Sequence, residues 1–423
     1  MADHDVIVIG AGFTGLTAAV NLIEAGLDVI IIEARNRVGG RVESEYLPSG
    51  IRIDTGGQFL CRDMTHLMET VQRYGARTVF SHVEGEQSYR PAISPERGET
   101  IWNAVERLRE EMLALDMTDP ALARLTVGQW IDRQTEIPAD VTGSFRRLVK
   151  GLWCRAPEEV ALAYLVSNDR RITNVYPELE MFLGDTMHGL AEKLAESLGD
   201  RLRLSAPATS ITMMEDMAEV DVEGRALTAR QVILAVPPVM ARRIEISPPL
   251  PDQLCKALAA WEPGCAIKLQ VGYQRPFWRD RNLSGSVMWS DPQGMYACDA
   301  SHDTYAGIVV FLGGPLASLW HKKPQAELAA FVTAELAMAL GEEAKHPASV
   351  NIRDWVNDAW SDGAYSDVIT DIDATDAEAV LLQGMPRLNF ACSELSPSFP
   401  GYVEGAIVAG KNAAQSVLQI LRK

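Results

Sequence analysis

Three glycines near the beginning of the chain have the spacing of a dinucleotide site. Gly10, Gly12 and Gly15 follow residues 6–9, an apolar run that predicts a strand buried on both faces. The first glycine permits a tight turn, the second lets a pyrophosphate approach the backbone, and the third lets the next helix pack against the strand. Glu33 follows the next apolar run, Val29–Ile32, where a carboxylate can accept hydrogen bonds from both hydroxyls of an adenosine ribose. The pattern predicts a dinucleotide site without choosing between NAD and FAD.

The elements that position these glycines are indicated by the same stretch of sequence. Apolar residues from Gly15 to about Ala25 recur on one helical face, and Gly26 predicts the end of the helix. The N-terminus of this helix directs free N–H groups and a partial positive charge toward phosphates. A strand, a helix and a second strand in this order predict an α/β fold of the Rossmann type.

Composition limits the class of protein. The 423 residues are 47% apolar, which is enough for two packed domains, and the formal net charge of −18 argues against nucleic acid and anionic membrane as partners. No apolar run approaches the roughly 20 residues of a membrane helix, and the first strand begins without a basic leader. Six unpaired cysteines favour a reduced compartment, and seven histidines lack metal-ligand spacing. We therefore expect a cytoplasmic protein with no membrane segment and no metal site; a homodimer is the commonest default for such a chain.

Five further features of the sequence carry a resemblance to a known family. Residues 33–41 (EARNRVGGR) add a glycine pair and arginines to the first motif, and residues 54–59 (DTGGQF) supply two more glycines. Lys268 precedes a Phe-Trp pair, and residues 354–365 and 401–406 complete the pattern near the end of the chain. Together these segments resemble the flavin amine oxidase family, which includes monoamine oxidases, polyamine oxidases, L-amino-acid oxidases and 6-hydroxynicotine oxidases. The resemblance spans the whole chain.

The resemblance implies a Rossmann-like FAD-binding domain with an interleaved substrate domain of sheet plus helices. Residues 1–80, 182–255 and 355–423 are expected to form the discontinuous FAD domain, and residues 81–181 and 256–354 the substrate domain. Because Ala364 stands where monoamine oxidases carry the cysteine that bonds the flavin, the FAD is expected to be non-covalent. The residues expected to contact FAD are Gly10, Gly12, Phe13, Thr14, Gly15, Glu33, Ala34, Arg35, Gly40, Arg41, Gly56, Gly57, Gln58, Ala208, Trp360, Glu394 and Val403.

Three residues are expected to act on the substrate or on oxygen. Oxidising a C–N bond removes two electrons and a proton, and no side chain accepts a hydride, so a flavin is required. In the family, the lysine at the place of Lys268 holds a water against the flavin, and Tyr365 and Tyr402 match an aromatic pair, or cage, that guides the amine nitrogen. The resemblance therefore implies oxidation of an amine to an imine, with O2 reduced to hydrogen peroxide.

Three alternatives stay open from the sequence. Arg170 and Arg171 could anchor a substrate carboxylate, as an L-amino-acid oxidase requires, although a solvated helix end is the simpler explanation. A flavin dehydrogenase or desaturase would pass electrons to an acceptor other than oxygen. A scaffold without activity would have no need of the lysine and both tyrosines. Cys392 replaces a glycine usual in the family, which leaves the path of its loop undefined.

Overall fold

The computed structural model describes residues 2–422 of the chain. The strands, in chain order, are β1 His4–Ile9, β2 Val29–Ile32, β3 Ser44–Tyr46, β4 Arg52–Asp54, β5 Phe59–Leu60, β6 Thr78–Phe80, β7 Glu86–Arg90, β8 Met181–Leu183, β9 Leu202–Arg203, β10 Ala208–Met213, β11 Ala218–Val222, β12 Arg225–Leu234, β13 Glu245–Ser247, β14 Trp261–Pro263, β15 Ala266–Tyr273, β16 Leu283–Trp289, β17 Met295–Asp299, β18 Ala306–Gly313, β19 Ser349–Asp354, β20 Asp367–Ile369 and β21 Leu388–Phe390. The α-helices are α1 Phe13–Glu24, α2 Thr65–Arg73, α3 Pro95–Leu113, α4 Pro120–Ala123, α5 Val127–Asp132, α6 Ala139–Leu152, α7 Leu162–Arg170, α8 Met187–Glu196, α9 Pro238–Ala241, α10 Asp252–Ala259, α11 Pro315–Trp320, α12 Gln325–Leu340, α13 Ala377–Gln383 and α14 Val403–Leu421.

The first sheet is built around β1. It pairs in parallel with β2 on one side and with β12 on the other, and β2 continues the parallel sheet to β9. The first half of β12 pairs with β11 and its second half pairs with β21, so this long strand changes its neighbour along its length. Residues 6–9 and all of Val29–Ile32 are buried, as expected of central parallel strands covered on both faces. Helices α1 and α14 pack against each other beside this sheet.

The second sheet has six strands in the order β19-β15-β18-β17-β16-β7. Neighbouring strands are antiparallel except for β16 and β7. Every residue of β15 is buried, and in the register of this sheet Lys268 lies opposite Phe311 and Arg353. Strand β15 is thus covered on both faces, although its sequence alternates like a half-exposed strand.

Helices α3 to α7 form a separate helical block. The helix predicted from residue 101 to residue 115 begins earlier, at Pro95, and ends at Leu113. Its start is set by Ser94, whose side chain accepts a hydrogen bond from the Arg97 N–H, and by proline at the first helical position. The hydrophobic pattern misses this first turn because it is polar.

The strands of the first sheet come from residues 4–32, 202–247 and 388–390, and those of the second from residues 86–90 and 266–354. One short antiparallel pair, β14 with β20, joins segments that were assigned to different domains. The exact domain boundaries stay a prediction. Within residues 2–422, no helix is both long and apolar enough to cross a membrane, and no three His, Cys, Asp or Glu side chains are grouped to hold a metal ion.

Candidate active site

The first glycine turn is shaped by close backbone contacts. Gly10 has a φ of +101°, and a Cβ there would lie 2.6 Å from the carbonyl oxygen of Ala235. A Cβ on Gly15 would lie 1.9 Å from the carbonyl oxygen of Gly10, so only glycine lets α1 pack this close to the turn. Gly12 is different, because the nearest atoms to a Cβ there are 4.0 Å away. Its open side faces a large cavity.

This cavity has a volume of about 2100 Å³ and extends from the glycine turn to the helical block. Small-ligand pockets typically measure about 300–1,000 Å³, so this one has room for a dinucleotide and a second molecule. Eighteen of the twenty predicted site residues line it. They are Gly10, Gly12, Phe13, Thr14, Glu33, Ala34, Arg35, Gly40, Arg41, Gly56, Gly57, Gln58, Ala208, Lys268, Trp360, Tyr365, Tyr402 and Val403. Gly15 lies instead against the glycine turn, and Glu394 holds Arg41 without lining the cavity itself.

Two helices begin at the cavity wall. Gly12 precedes α1 and Tyr402 precedes α14, and within residues 2–422 no side chain caps the first N–H groups of either helix. Phe13, Thr14 and Val403 therefore present unshared N–H groups and a partial positive charge to whatever occupies the cavity. Such paired helix starts suit a ligand with phosphates at one end and an anionic or carbonyl group further along.

Glu33 is already engaged by the backbone. Its carboxylate accepts hydrogen bonds from the N–H of Ala11 at 2.7 Å and from the N–H of Arg35 at 2.8 Å. Each oxygen keeps a further lone pair for a ribose hydroxyl, and the two bonds fix the direction in which that pair points. Nearby, the Arg35 guanidinium pairs with Asp358 and donates to the carbonyl oxygen of Trp360, whose side chain lies at the cavity rim and is 41% exposed.

A buried charge cluster stands behind the cavity wall. The Arg41 guanidinium donates to both carboxylate oxygens of Glu394, at 2.5 and 3.1 Å, and to the carbonyl oxygen of Tyr365 at 2.7 Å. Although burial opposes ionisation, Arg41 lowers the pKa of Glu394 to about 2. Burial and the Glu394 charge raise the pKa of the neighbouring Asp367 well above its ordinary value. Arg41 is thus held by an ionised carboxylate and fixes the backbone of Tyr365.

Lys268 enters the cavity from strand β15. Its ammonium donates to the carbonyl oxygen of Gly56 and to Oε1 of Gln58, both at 2.8 Å, and lies 5.7 Å from the centre of the Phe311 ring. Burial lowers the pKa of Lys268 to about 8, against the opposing charge of Asp54. The Lys268 side chain is therefore buried in the cavity and does not face solvent. An amine with this pKa can exchange a proton near neutral pH.

The two tyrosines reach the cavity from different segments. Tyr365 has a left-handed backbone, with a φ of +60°, and its ring packs edge-on against Phe311 at 6.1 Å. Tyr402 packs edge-on against Phe399 at 6.0 Å. Burial raises the pKa of both phenols, so both stay neutral at physiological pH. A face-to-face cage made by these two rings stays a prediction.

The arginine fork considered from the sequence does not line the cavity. Arg170 donates to the carbonyl oxygens of Leu113 and Leu115 at the end of α3, and Arg171 binds Glu378. Helix packing accounts for both. Another arginine, Arg109, does line the cavity, but its guanidinium is paired at 3.0 Å with the buried Asp169.

Some cavity residues were not predicted from the sequence. Phe311 lies in an apolar strand, and no local signal separates it from a core phenylalanine. Trp355 is buried and donates through its indole N–H to the carbonyl oxygen of Thr55. It lies within residues 354–365, a segment that carries the resemblance, but it was not singled out as a site residue. Cys392 also lines the cavity, directly before a 3-10 turn, Ser393–Leu395, which defines the path of that loop.

Comparison with known proteins decides what kind of site this is. The family model for flavin containing amine oxidoreductases matches residues 13–418, nearly the whole chain. The chain belongs to this family. As a flavin amine oxidoreductase, it is an oxidoreductase that acts on amines and uses FAD.

Curated relatives cover a range of activities within the family. The chain is 27% identical to an L-amino acid dehydrogenase from Synechocystis sp., over 99% of this chain and 95% of the relative. It is also 27% identical to flavin-containing amine oxidase B from Bos taurus (99% and 87% covered) and to putrescine oxidase from Kocuria rosea (98% and 95% covered).

Solved structures agree with the fold of this amine oxidoreductase. Cyclohexylamine oxidase from Brevibacterium oxydans superimposes with a TM-score of 0.91 at 25% identity, covering all of both chains. Putrescine oxidase bound to putrescine gives a TM-score of 0.87 at 26% identity, covering 98% of this chain and 99% of the other. The predicted α/β fold of the flavin amine oxidase type is therefore confirmed.

Proposed function

We propose that this amine oxidoreductase converts an amine to an imine and passes the electrons to O2, which forms hydrogen peroxide. The observation that carries the proposal is the convergence of Lys268, Tyr365 and Tyr402, from three distant segments, on one cavity that begins at an open glycine turn. A scaffold protein would have no reason to keep a buried lysine in such a place, because burying an ammonium destabilises the fold.

The cavity wall fits non-covalent FAD. Glu33 would receive the ribose, the N–H groups of Phe13 and Thr14 the pyrophosphate, and Val403 at the start of α14 the carbonyl end of the flavin ring. Ala364 lines the cavity and carries no nucleophile that could bond the flavin. FAD supplies the acceptor for the two electrons and the hydrogen that leave the substrate carbon.

The chain's own residues orient the amine and exclude water. The faces of the Tyr365 and Tyr402 rings would attract the electron-poor hydrogens around the amine nitrogen, and their low polarity favours the neutral amine. Lys268 holds its ammonium against Gly56 and Gln58, where it can fix a water or offer a positive charge to reduced oxygen species. The surrounding apolar wall limits access of bulk water.

The test is anaerobic mixing of the FAD-loaded enzyme with a panel of amines and amino acids. Rapid loss of the visible flavin band identifies the substrate class, and admission of air should then yield one hydrogen peroxide per substrate. Flavin reduction without peroxide would instead identify a dehydrogenase or desaturase. Failure of every amine to reduce the flavin would overturn the proposed function.

One residue favours L-amino acids as a second candidate substrate class. Arg147 lines the cavity, and in the described part of the chain its hydrogen-bond partner is Ser144, with no carboxylate bonded to it. The guanidinium N–H groups of Arg147 that do not bind Ser144 could bind a substrate carboxylate. An amino-acid activity that disappears in Arg147→Met while amine oxidation persists would support this candidate.

Location and assembly belong to the same proposal. All six cysteines are free thiols, which supports a reduced compartment such as the cytoplasm. Homodimerisation, the default for such enzymes, is checked by light scattering of the purified protein.

A further inference from the structure

Polar side chains continue from Lys268 along one face of the second sheet. Gln270 follows Lys268 on the same face of β15, and Asn351 lies opposite Gln270 on the neighbouring strand β19. Gly272 comes next on this face of β15, with Ser349 opposite it. Lys268 lines the large cavity, whereas the other four residues do not. This line of residues, which we name the polar row, therefore leads from the Lys268 ammonium away from the large cavity.

The Tyr305 hydroxyl group lies at the far end of the polar row. Gly272 and Gly307 lie opposite each other on β15 and β18. A Cβ on Gly307 would lie 2.7 Å from the Tyr305 hydroxyl oxygen, and a Cβ on Gly272 would lie 3.6 Å from it. The same Cβ on Gly272 would lie 2.5 Å from Oγ of Ser349. Because both glycines lack a side chain, the two hydroxyl groups have room beside the face of β15 that carries Gln270.

Three oxygen atoms along the polar row have no hydrogen-bond partner within residues 2–422. They are Oε1 of Gln270, Oδ1 of Asn351 and the hydroxyl oxygen of Tyr305, and all three atoms are buried. Burying a polar atom without a partner destabilises a fold, and ordered water is the usual partner inside a protein. The opposite face of β15, which carries Leu269 and Val271, belongs to an apolar core instead. The three oxygens thus indicate a line of internal water along one face of the sheet.

Tyr305 also lines a second cavity, which has a volume of about 440 Å³. His302 lies in the same wall, and its ring centre is 5.6 Å from that of Tyr305. Asp185 is exposed in this wall as well. An imidazole exchanges protons with solvent near neutral pH, and a surface carboxylate attracts cations such as the hydronium ion. The second cavity therefore has groups that can collect protons from solvent.

Two arginines near the second cavity are already paired with carboxylates. Arg52, which lines the cavity, donates to both carboxylate oxygens of Glu192, at 2.7 and 2.8 Å. Arg77 pairs with Asp303 at 2.6 Å. Because a carboxylate balances each of these charges, neither arginine opposes the approach of a proton to His302.

Formation of hydrogen peroxide from O2 takes up two electrons and two protons. Bound FAD supplies both electrons and one of the protons once a substrate has reduced it, so the other proton has to arrive separately. The large cavity is a poor route for this proton, because its apolar wall and the bound amine exclude water. The Lys268 ammonium reaches the large cavity and is joined to the polar row, because Oε1 of Gln58 accepts hydrogen bonds from both Lys268 and Gln270.

We propose that the polar row is a water-filled proton path, which connects Lys268 with solvent at the second cavity. In the proposed step an N–H bond of the Lys268 ammonium breaks and an O–H bond forms on the reduced oxygen. The neutral amine of Lys268 then regains a proton through the water held along the row, and this proton enters from solvent at His302. The inference rests on the proposed function for the use of the proton.

The test variant is Tyr305→Phe with Ser349→Ala, which removes the two hydroxyl groups at the far end of the polar row. Reduction of the FAD-loaded enzyme by an amine without oxygen should be unchanged, because this step takes no proton from the row. Stopped-flow reoxidation by O2 should slow by about 10-fold or more, since a positioned proton donor typically contributes about 100-fold or more. The solvent deuterium isotope effect on reoxidation should increase, because proton delivery then limits the rate.

The matched control is Tyr273→Phe with Ser88→Ala, which removes two hydroxyl groups elsewhere in the same sheet. Tyr273 is 7% exposed, against 6% for Tyr305, and it belongs to the apolar core on the opposite face of β15. Ser88 lies on β7, at the other edge of the sheet from β19. The control variant should reoxidise at the wild-type rate and with the wild-type isotope effect.

A second measurement needs no turnover. In the oxidised FAD-loaded enzyme, NMR with isotope-labelled lysine follows the exchange of the Lys268 ammonium hydrogens with water. The signal is assigned by its absence from Lys268→Met. Exchange should slow in the test variant in proportion to its loss in reoxidation rate, and it should be unchanged in the control variant.

Three results would overturn the proposal. The first is reoxidation and ammonium exchange at wild-type rates in the test variant, and the second is an equal loss in the test and control variants. The third is slower reoxidation with unchanged ammonium exchange, because the two hydroxyl groups would then act by another route. If ammonium exchange slows in the test variant but no amine yields hydrogen peroxide, the proton path stands and the proposed oxidation by O2 fails.

Discussion

Oxygen Oε1 of Gln58 accepts a hydrogen bond from the Lys268 ammonium at 2.8 Å, and it accepts a second one from the Gln270 amide at 3.0 Å. Gln270 also donates to the carbonyl oxygen of Asp54 at 3.1 Å, so its amide group is fixed from two sides. Because one amide oxygen is shared by two donors, the orientation of Gln58 and the position of the lysine depend on each other.

Replacing Gln270 should therefore weaken the reaction through Lys268. Gln270→Leu keeps the volume but removes a donor, which frees the Gln58 amide to rotate and lets the ammonium move. A displacement of about 1 Å at a reacting group costs up to about 100-fold, so we expect the rate of peroxide formation to fall between about 10-fold and 100-fold. Lys268→Met should fall further. Stopped-flow reoxidation of the reduced enzyme measures the step directly.

A surface substitution of the same type provides the control for this result. Gln293→Leu removes a hydrogen bond to Lys150 on the exposed side of the helical block and should leave the rate unchanged. Equal rates for Gln270→Leu and wild type, with FAD bound in both, would show that Gln58 does not depend on Gln270.

Asp54 and Lys268 give the stability of the fold a defined pH dependence. Burial raises the pKa of Asp54 from 3.8 to about 7 and lowers the pKa of Lys268 from 10.5 to about 8. The stability that Asp54 contributes is thus fully present below pH 3.8 and is lost as the pH rises toward 7. The stability that Lys268 contributes is fully present above pH 10.5 and is lost as the pH falls through about 8.

The wild-type protein should therefore lose stability between pH 4 and 7 because of Asp54, and Asp54→Asn should not show this loss. The wild-type protein should gain stability between pH 8 and 10 because of Lys268, and Lys268→Met should not show this gain. Asparagine can still accept a hydrogen bond from the Met187 N–H, so the start of α8 keeps a partner. Urea unfolding of each FAD-loaded variant at several pH values gives the difference from wild type. A constant difference across pH 4–7 would contradict the assignment to Asp54.

Much of the nucleotide end was predictable because its requirements are local. Gly10 needs a left-handed backbone with a φ of +101°, and a Cβ on Gly15 would meet the carbonyl oxygen of Gly10 in the same turn, so the spacing alone reveals both. The placement of Phe311 against Lys268 depends on the register of two strands that are distant in sequence, which no local pattern encodes. Arg170 and Arg171 were ambiguous for the same reason, because their partners lie on α3 and α13.

The ion pair of Arg41 with Glu394 should make a large, non-additive contribution to stability. Glu394 is 1% exposed, so Arg41→Met leaves a buried carboxylate without its main partner, which typically costs about 3–5 kcal/mol. Glu394→Gln leaves the guanidinium bonded to Ser393 and the Tyr365 carbonyl and should cost less. The double variant should lose less than the sum of the two single variants.

A double-mutant cycle in urea unfolding measures this coupling, and the FAD dissociation constant provides a second readout. We expect a coupling energy above about 1 kcal/mol, together with weaker FAD binding in both variants that lack Arg41. Additive losses would show that Arg41 and Glu394 act independently.

Gly12 and Gly15 offer a matched pair that separates folding from cofactor binding. Alanine at position 15 would place its Cβ 1.9 Å from the carbonyl oxygen of Gly10, so α1 must move away from the turn and the protein should lose stability or fail to fold. Alanine at position 12 meets no atom closer than 4.0 Å, yet its methyl group would enter the space that a pyrophosphate needs. Gly12→Ala should thus keep the melting temperature of the FAD-free protein and bind FAD at least about 10-fold more weakly, a loss of about 1.4 kcal/mol. Fluorescence titration with FAD and thermal melts of both variants test this prediction. A Gly12→Ala enzyme that binds FAD as tightly as wild type would show that the pyrophosphate does not bind at this turn.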